Sequence, residues 1–298
     1  MLNDLIIKTM PLIPKLLVKK VASKYIAGPQ LSDAVRVTQE LMSENGMSTI
    51  DVLGEFVDTK ERALHEKEMS SLVIDAVHNN NLHSYLSVKP TSLGLGIDVD
   101  FAYDNISFLV KKSNVLNLVV CLDMENSPYT TKTIDLYKKL RENGFDNLGV
   151  VFQSYMRRSE DDIKSLLEYK PPIRLCKGIY KEIPEIAFQE KNEVRDNYKK
   201  LLRLIFDNGM YIGIATHDEE LLQDALQYIS QNNISKDKYE FQMLLGVREK
   251  RRNELLEQGH KLRVYVPFGE DWYGYATRRL KENPDMASHI VKAMFFKG

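Results

Sequence analysis

The sequence predicts an α/β protein built as a (β/α)8, or TIM, barrel preceded by N-terminal helices, and three observations predict it. Eight short β-rich runs recur along the 298 residues. Amphipathic stretches separate them, with Leu, Ile and Phe at helical spacing and Asn-Gly at the end of several, a helix stop before the next strand. Polar or charged residues follow most of the runs, where a closed parallel barrel gathers its functional groups around one mouth. That last feature favours the barrel over a doubly wound open sheet, which would share the strand-helix grammar.

The elements follow in order. Residues 1–48 read as a helical segment packing on the barrel. Its beginning, MLNDLIIKTMPLIPKLLVKKVASKYIAG, sets Lys8, Lys15, Lys19, Lys20 and Lys24 against the single acid Asp4. Pro11, Pro14 and the lysines interrupt it well short of a membrane-spanning length. A helix lying on a membrane surface or on a partner is the alternative for this segment, and a targeting sequence the third reading. The strand runs are Thr49 to Leu53, Tyr85 to Val88, Asn117 to Leu122, Leu148 to Phe152, Ile173 to Cys176, Tyr211 to Ala215, Tyr239 to Met243 and Leu262 to Val266. Between them, TKTIDLYKKLRENG and KNEVRDNYKKLLRLIFDNG carry the helical pattern most clearly. The barrel takes residues 49–298, about 250 residues and typical of the architecture. No Gly/Ser-rich linker or internal repeat marks a further domain.

Composition excludes several function classes. With 43% hydrophobic residues and a formal charge of -1, the chain has the make-up of a soluble globular protein and no Lys/Arg surplus for nucleic acid. Cys121 and Cys176 each sit in an apolar run and read as buried free thiols, which suits a reducing compartment such as the cytosol. The six histidines form no HExxH or other metal-ligand spacing, and none is expected to hold a metal. SLGLGIDVD offers Gly94 and Gly96 without the third glycine of a dinucleotide fingerprint, and neither a P-loop nor a GxSxG elbow is present.

The residues at the strand ends carry the chemistry. They read Glu55, Lys89, Asp123, Gln153, Lys177, Thr216 with His217, Gly246, and Pro267 with Gly269. Beyond the last strand, DWYGYATRRLKENP places Tyr275, Arg278, Arg279 and Glu282 in one sector of a helix, at roughly 100° per residue. Adjacent guanidiniums repel, so a fold that holds both on one side supplies carboxylates or expects an anion. A solvated face with Glu282 paired to one arginine is the plainer alternative. Converging with Lys89 and Lys177, the two arginines would clamp a small carboxylate. Tyr265 and Tyr275 would line the apolar part of the pocket, and Asp123 and Glu55 would balance the cations. Arg174, inside the fifth run, needs a carboxylate or an electron-rich cofactor if it faces the barrel interior. Lys89 and Lys177 are also candidates for Schiff-base chemistry.

Eight segments carry a resemblance: DVLGE, SVKPTSLG, VVFQSY, RLCKGIY, IATHD, YEFQMLLG, RVYVPFG and DWYGYATRRLKEN. In this order they resemble the proline dehydrogenases, specifically a compact bacterial monofunctional member, over Thr49 to Asn283, with YIAG at Tyr25 to Gly28 joining them. The resemblance implies a distorted barrel that binds FAD without a Rossmann domain. It implies oxidation of L-proline to Δ1-pyrroline-5-carboxylate, the first step of proline catabolism, by hydride transfer to flavin N5, with electrons passed to a membrane quinone. Residue by residue, it implies that Lys89, Arg278 and Arg279 hold the proline carboxylate and that Leu244, Tyr265 and Tyr275 surround the ring. Glu282 and Asp123 orient the cationic and tyrosyl groups, and Glu55 pairs with Arg278. Arg174, Gln153, Cys176, Lys177, Gly178, Thr216 and His217 are implied to contact the flavin. Ile179 and Lys181 depart from the pattern, where relatives carry Ala and a bulky apolar residue. No side chain stands out as a general base.

The resemblance further implies a cytoplasmic protein with peripheral contact at the inner face of the cell membrane, working beside a separate pyrroline-5-carboxylate dehydrogenase. The rival readings are another flavin barrel such as a methylenetetrahydrofolate reductase, a Schiff-base aldolase, and a catalytically silent barrel acting as an adaptor.

Overall fold

The computed structural model describes residues 24–270 and Trp272. Its centre is a closed barrel of eight parallel strands in sequential order. They are β1 (Met47–Val52), β2 (Ser84–Val88), β3 (Val120–Leu122), β4 (Leu148–Gln153), β5 (Ile173–Cys176), β6 (Ile212–Ala215), β7 (Tyr239–Leu244) and β8 (Leu262–Phe268). Closure runs from Met47 opposite Arg263 to Val52 opposite Phe268. The helices are α1 (Leu31–Ser43), ahead of the barrel, then α2 (Lys60–Asn79), α3 (Val99–Val115), α4 (Ser127–Glu142), the short α5 (Ser159–Lys164), α6 (Lys191–Asp207), α7 (Glu219–Gln231) and α8 (Glu249–Glu257).

Local chemistry sets the boundaries. Asp98 caps α3 by accepting the Phe101 amide at 3.0 Å. α6 buries Tyr198, Leu201, Leu202 and Ile205, one helical stripe, and leaves its other face to water. The Asn-Gly stops behave as the sequence predicts: Gly144 and Gly209 follow the helix ends with φ of 83° and 69°, in the region glycine enters without a Cβ penalty.

Three strand boundaries differ from expectation by two residues or more, and five others by one. β1 begins two residues earlier than Thr49, inside the segment assigned to the helical preface, because Met47 and Ser48 already pair with β8. β3 is shorter than Asn117 to Leu122: Asn117 has φ of 56° and the Leu118 amide returns to the Ser113 carbonyl at 2.9 Å, so these residues complete the exit from α3. β8 runs past Pro267, which is tolerated because β7 pairs with it only as far as Tyr265 and β1 alone is opposite beyond that.

α1 packs against β1 and β8, burying Ala34, Val37, Thr38 and Leu41. Just before it, the Ala27 amide donates to the Pro267 carbonyl and the Gly28 carbonyl accepts from Gly269, tying the chain ahead of α1 to the end of β8. The apolar core lies between strands and helices. Inside the barrel, by contrast, Asp51, Ser87, Arg174, Glu240 and Gln242 are buried where branched aliphatic side chains commonly fill such a barrel.

Candidate active site

The carboxyl ends of the strands open into a cavity of about 780 Å³. β1, β2 and β8 furnish its most buried ion pair. Lys89 Nζ donates to both oxygens of Asp51, at 2.7 and 2.8 Å, and reaches the Tyr265 hydroxyl at 3.4 Å. Burial pushes the Asp51 carboxyl up to about 6 against the pull of Lys89. Burial also works against the charge on Lys89, but Asp51 and Asp123 hold its ammonium above the ordinary lysine value.

Asp123, just past β3, gathers three donors. Arg174 Nη1 reaches Oδ1 at 2.6 Å, Ser87 Oγ the same oxygen at 2.7 Å, and the Tyr265 hydroxyl Oδ2 at 2.7 Å. The Arg174 guanidinium also lies 5.2 Å from the Tyr265 ring centre. Burial and the adjacent Asp123 raise the Tyr265 hydroxyl well above its usual range. Asp123 pairs with Arg174 and stands 4.0 Å from Lys89, and Glu55 adds its negative charge to the field at Lys89, while the direct partner of Lys89 is an acid the sequence reading did not single out, Asp51.

A third acid, Glu125, lies beside Gln153. It is fully buried, accepts the Thr91 amide at 2.9 Å and the Thr91 hydroxyl, and burial pushes it up to about 7. Gln153 donates its side-chain amide to the Glu125 carbonyl at 2.9 Å, which fixes it at the wall.

The β5 and β6 loops form the outer part. Lys177 lies 3.2 Å from Asp218, which also receives Arg195 at 2.8 Å. Burial works to raise Asp218, but hydrogen bonds and charges from Arg195 and Lys177 hold it down at about 2. His217 Nε2 accepts the Leu244 amide at 2.9 Å, which places the ring proton of the neutral imidazole on Nδ1. Thr216 Oγ1 accepts the Asp218 amide at 3.1 Å.

Gly178 has φ of 110°, and a Cβ there would meet the Tyr155 ring at 2.1 Å, so the segment hugs Tyr155 and leaves the cavity open only because this residue is glycine. Cys176 lines the cavity as a partly exposed free thiol, which corrects its reading as buried, whereas Cys121 is buried and pushed up to about 11. Ile179 sits at the rim, 45% exposed, and Lys181 is exposed beyond it.

Lys89, Asp123, Tyr265, Leu244 and the flavin candidates thus share one cavity. Tyr275, Arg278, Arg279 and Glu282 lie outside the described residues. Asp51, Ser87, Glu125 and Gln242 went unread in the sequence. An acid in the middle of STIDVL and a glutamate and glutamine alternating along YEFQML were available signals, because polar residues on the inward side of a barrel strand require partners.

The donor set suits a flat heteroaromatic ring carrying phosphates. Arg174 and Gln153 are buried at the inner end, Lys177, Lys191, Arg195 and Arg248 supply the outer cations, and Val151, Ala215 and Met243 add apolar wall. Among the described residues no group of three or more His, Cys, Asp or Glu is arranged to hold a metal ion, and no helix is long and apolar enough to cross a membrane.

The family model described as "Proline dehydrogenase" matches residues 34–292. Proline dehydrogenase 2 of Bacillus subtilis (strain 168) is 38% identical over 273 residues, covering 92% of this chain and 90% of the relative. Proline dehydrogenase of Deinococcus radiodurans is 34% identical over 277 residues, covering 92% and 89%. Among solved structures, proline utilization A from Bdellovibrio bacteriovorus, inactivated by N-propargylglycine, superposes with a TM-score of 0.84 at 24% identity. It is matched over 93% of this chain, which spans only 34% of that longer one, and the likeness concerns the fold. The chain is an oxidoreductase and belongs to the proline dehydrogenase family.

Proposed function

We propose that the chain oxidises L-proline to Δ1-pyrroline-5-carboxylate with FAD as its cofactor and a quinone as the final electron acceptor. The observation that carries the reading is the single cavity at the carboxyl ends of the strands, where Lys89, Asp123, Arg174 and Tyr265 converge in a chain of this family. Lys89, with Arg278 and Arg279, holds the substrate carboxylate. Tyr265, Tyr275 and Leu244 cover the ring, and Asp123 fixes the Tyr265 hydroxyl. Glu282 and Glu55 orient the arginines. Lys177, Gly178, Thr216 and His217 line the outer cofactor site, with Arg174, Gln153 and Cys176 at its inner end.

FAD bound there would supply the two-electron acceptor that no side chain provides. The protein contributes orientation, because a carboxylate held at one end aims the ring at a fixed point. It also contributes charge: Arg174 cannot lose its proton and keeps a positive charge at the inner end. The reading extends to a cytoplasmic enzyme touching the inner face of the membrane, with a separate dehydrogenase taking its product.

The test is the absorbance spectrum of the purified protein before and after anaerobic addition of L-proline. A flavin spectrum that bleaches with proline is the expected result. Flavin that stays oxidised would sink the substrate assignment, and folded protein that neither carries nor takes up FAD would sink the cofactor assignment.

A further inference from the structure

Arg174 lies between two spaces. Above it is the main cavity; below it, toward the amino ends of the strands, is a second cavity of about 200 Å³ that it lines together with Gln242, Glu240 and Arg263. A long side chain bordering an empty volume has somewhere else to go. The lower cavity is also lined by the carboxylate of Glu240, which becomes an alternative partner for the guanidinium once the Gln242 amide no longer occupies it.

Gln242 stands between them. Its Oε1 accepts Arg174 Nε at 2.8 Å, while its Nε2 donates to Glu240 Oε1 at 2.7 Å and to the Tyr85 hydroxyl at 3.2 Å. Glu240 is 2% exposed and saturated with donors: Arg263 at 2.6 and 3.0 Å, Tyr211 at 3.0 Å and Gln242. Because that carboxylate has no proton to offer, it accepts only the amide nitrogen, and the amide oxygen must face Arg174. The amide is therefore oriented by a buried charge, and it passes the orientation on to the guanidinium.

Gly213 permits this. It is the register partner of Arg174 on β6, and a Cβ there would come within 2.3 Å of Gln242 Nε2. The glutamine crosses β6 where the strand has no side chain.

We infer that Gln242, oriented by Glu240 and admitted by Gly213, is a positioning residue that holds the Arg174 guanidinium at the inner end of the active-site cavity. Its consequence for the reaction rests on the proposed flavin reading. A cation kept at that end favours electron uptake by the bound cofactor, whereas a guanidinium drawn down to Glu240 does not.

The test uses the full chain, wild type, Gln242→Met and Gly213→Ala, the second variant displacing the amide without deleting it. Nitrogen-15 arginine NMR, with and without FAD, follows exchange of the Arg174 Nε proton. We expect it to quicken at least tenfold in either variant that folds. Unchanged exchange in a folded variant would overturn the positioning role whether or not FAD binds, so this arm survives failure of the flavin reading. Should Gln242→Met not fold, Gly213→Ala carries the test. On FAD-loaded protein, the limiting rate of flavin reduction by proline should fall about tenfold and the midpoint potential should move negative, with the proline dissociation constant changed less than twofold. Faster exchange with unchanged potential and rate would overturn the catalytic consequence. Wild-type protein that takes up no FAD would remove the flavin reading and that consequence together.

Discussion

Two regions of the cavity use the same kinds of ion pair under opposite conditions. At the inner end, the Asp51 and Lys89 side chains are 1% and 13% exposed, and Arg174 and Asp123 are 7% and 13% exposed. At the outer end, Lys177 is 38% exposed and Glu220 47%, although their shared neighbours Asp218 and Arg195 are better covered. The inner charges have lost their water and depend on each other, so their geometry is fixed and their removal is expensive. The outer charges keep enough solvent to exchange one partner for another, as binding an anionic ligand requires.

The largest expected effect breaks the inner region. Asp123→Ala leaves the Arg174 guanidinium buried without its acid, and arginine cannot escape by losing a proton. A loss of about 3–5 kcal/mol should follow in chemical denaturation. A loss below about 1 kcal/mol would show that the inner charges are as replaceable as the outer ones.

Arg279→Met comes next. Arg279 lies beyond the described residues, and the proposed function has it hold the substrate carboxylate together with Lys89 and Arg278. Removing a charged hydrogen bond worth about 1.5–3 kcal/mol should raise the proline KM at least about tenfold with flavin still bound. An unchanged KM would remove Arg279 from the clamp.

The two regions should also respond oppositely to pH. Asp51 titrates above its ordinary 3.8, near about 6, so its protonated form is favoured by folding; its contribution is fully present below 3.8 and is lost as pH rises through about 6. Asp218 titrates below 3.8, near about 2, so its contribution is present above 3.8 and is lost as pH falls toward 2. Denaturation midpoints measured across this range should lose the upper slope in Asp51→Asn and the lower slope in Asp218→Asn. If both substitutions flatten the same limb, the contrast is wrong.

The smallest effect is expected from Glu220→Gln. Its carboxylate meets Arg195 and Lys199 at 2.7 Å on an open surface, and the denaturation midpoint should scarcely move. A large drop would mean that the outer network is structural.

Much of the fold was legible in the sequence because its signals are local. The Asn-Gly stops, the stripe Tyr198, Leu201, Leu202 and Ile205, and the apolar runs of β4 and β6 each state their structure within a few residues. Lys89, Asp123 and Gln153 were found because they stand at strand ends, where a barrel directs its chemistry. Asp51 and Gln242 were missed because they lie inside strands, among residues that read as core. Asn117 was misread for a related reason: a β-rich run does not reveal that its first residues are needed to close the preceding helix.

The sequence by itself therefore determined the order of strands and helices, the face each helix buries, and the candidates around the mouth. These follow from periodicity and turn chemistry, which act over a few residues. Only the tertiary structure decided which acid serves which base: Asp51 meets Lys89, Asp123 meets Arg174, and Gln242 crosses Gly213 to reach the same arginine. Those pairings join residues up to 68 positions apart, and they exist because barrel closure brings the inward faces of separate strands together out of water.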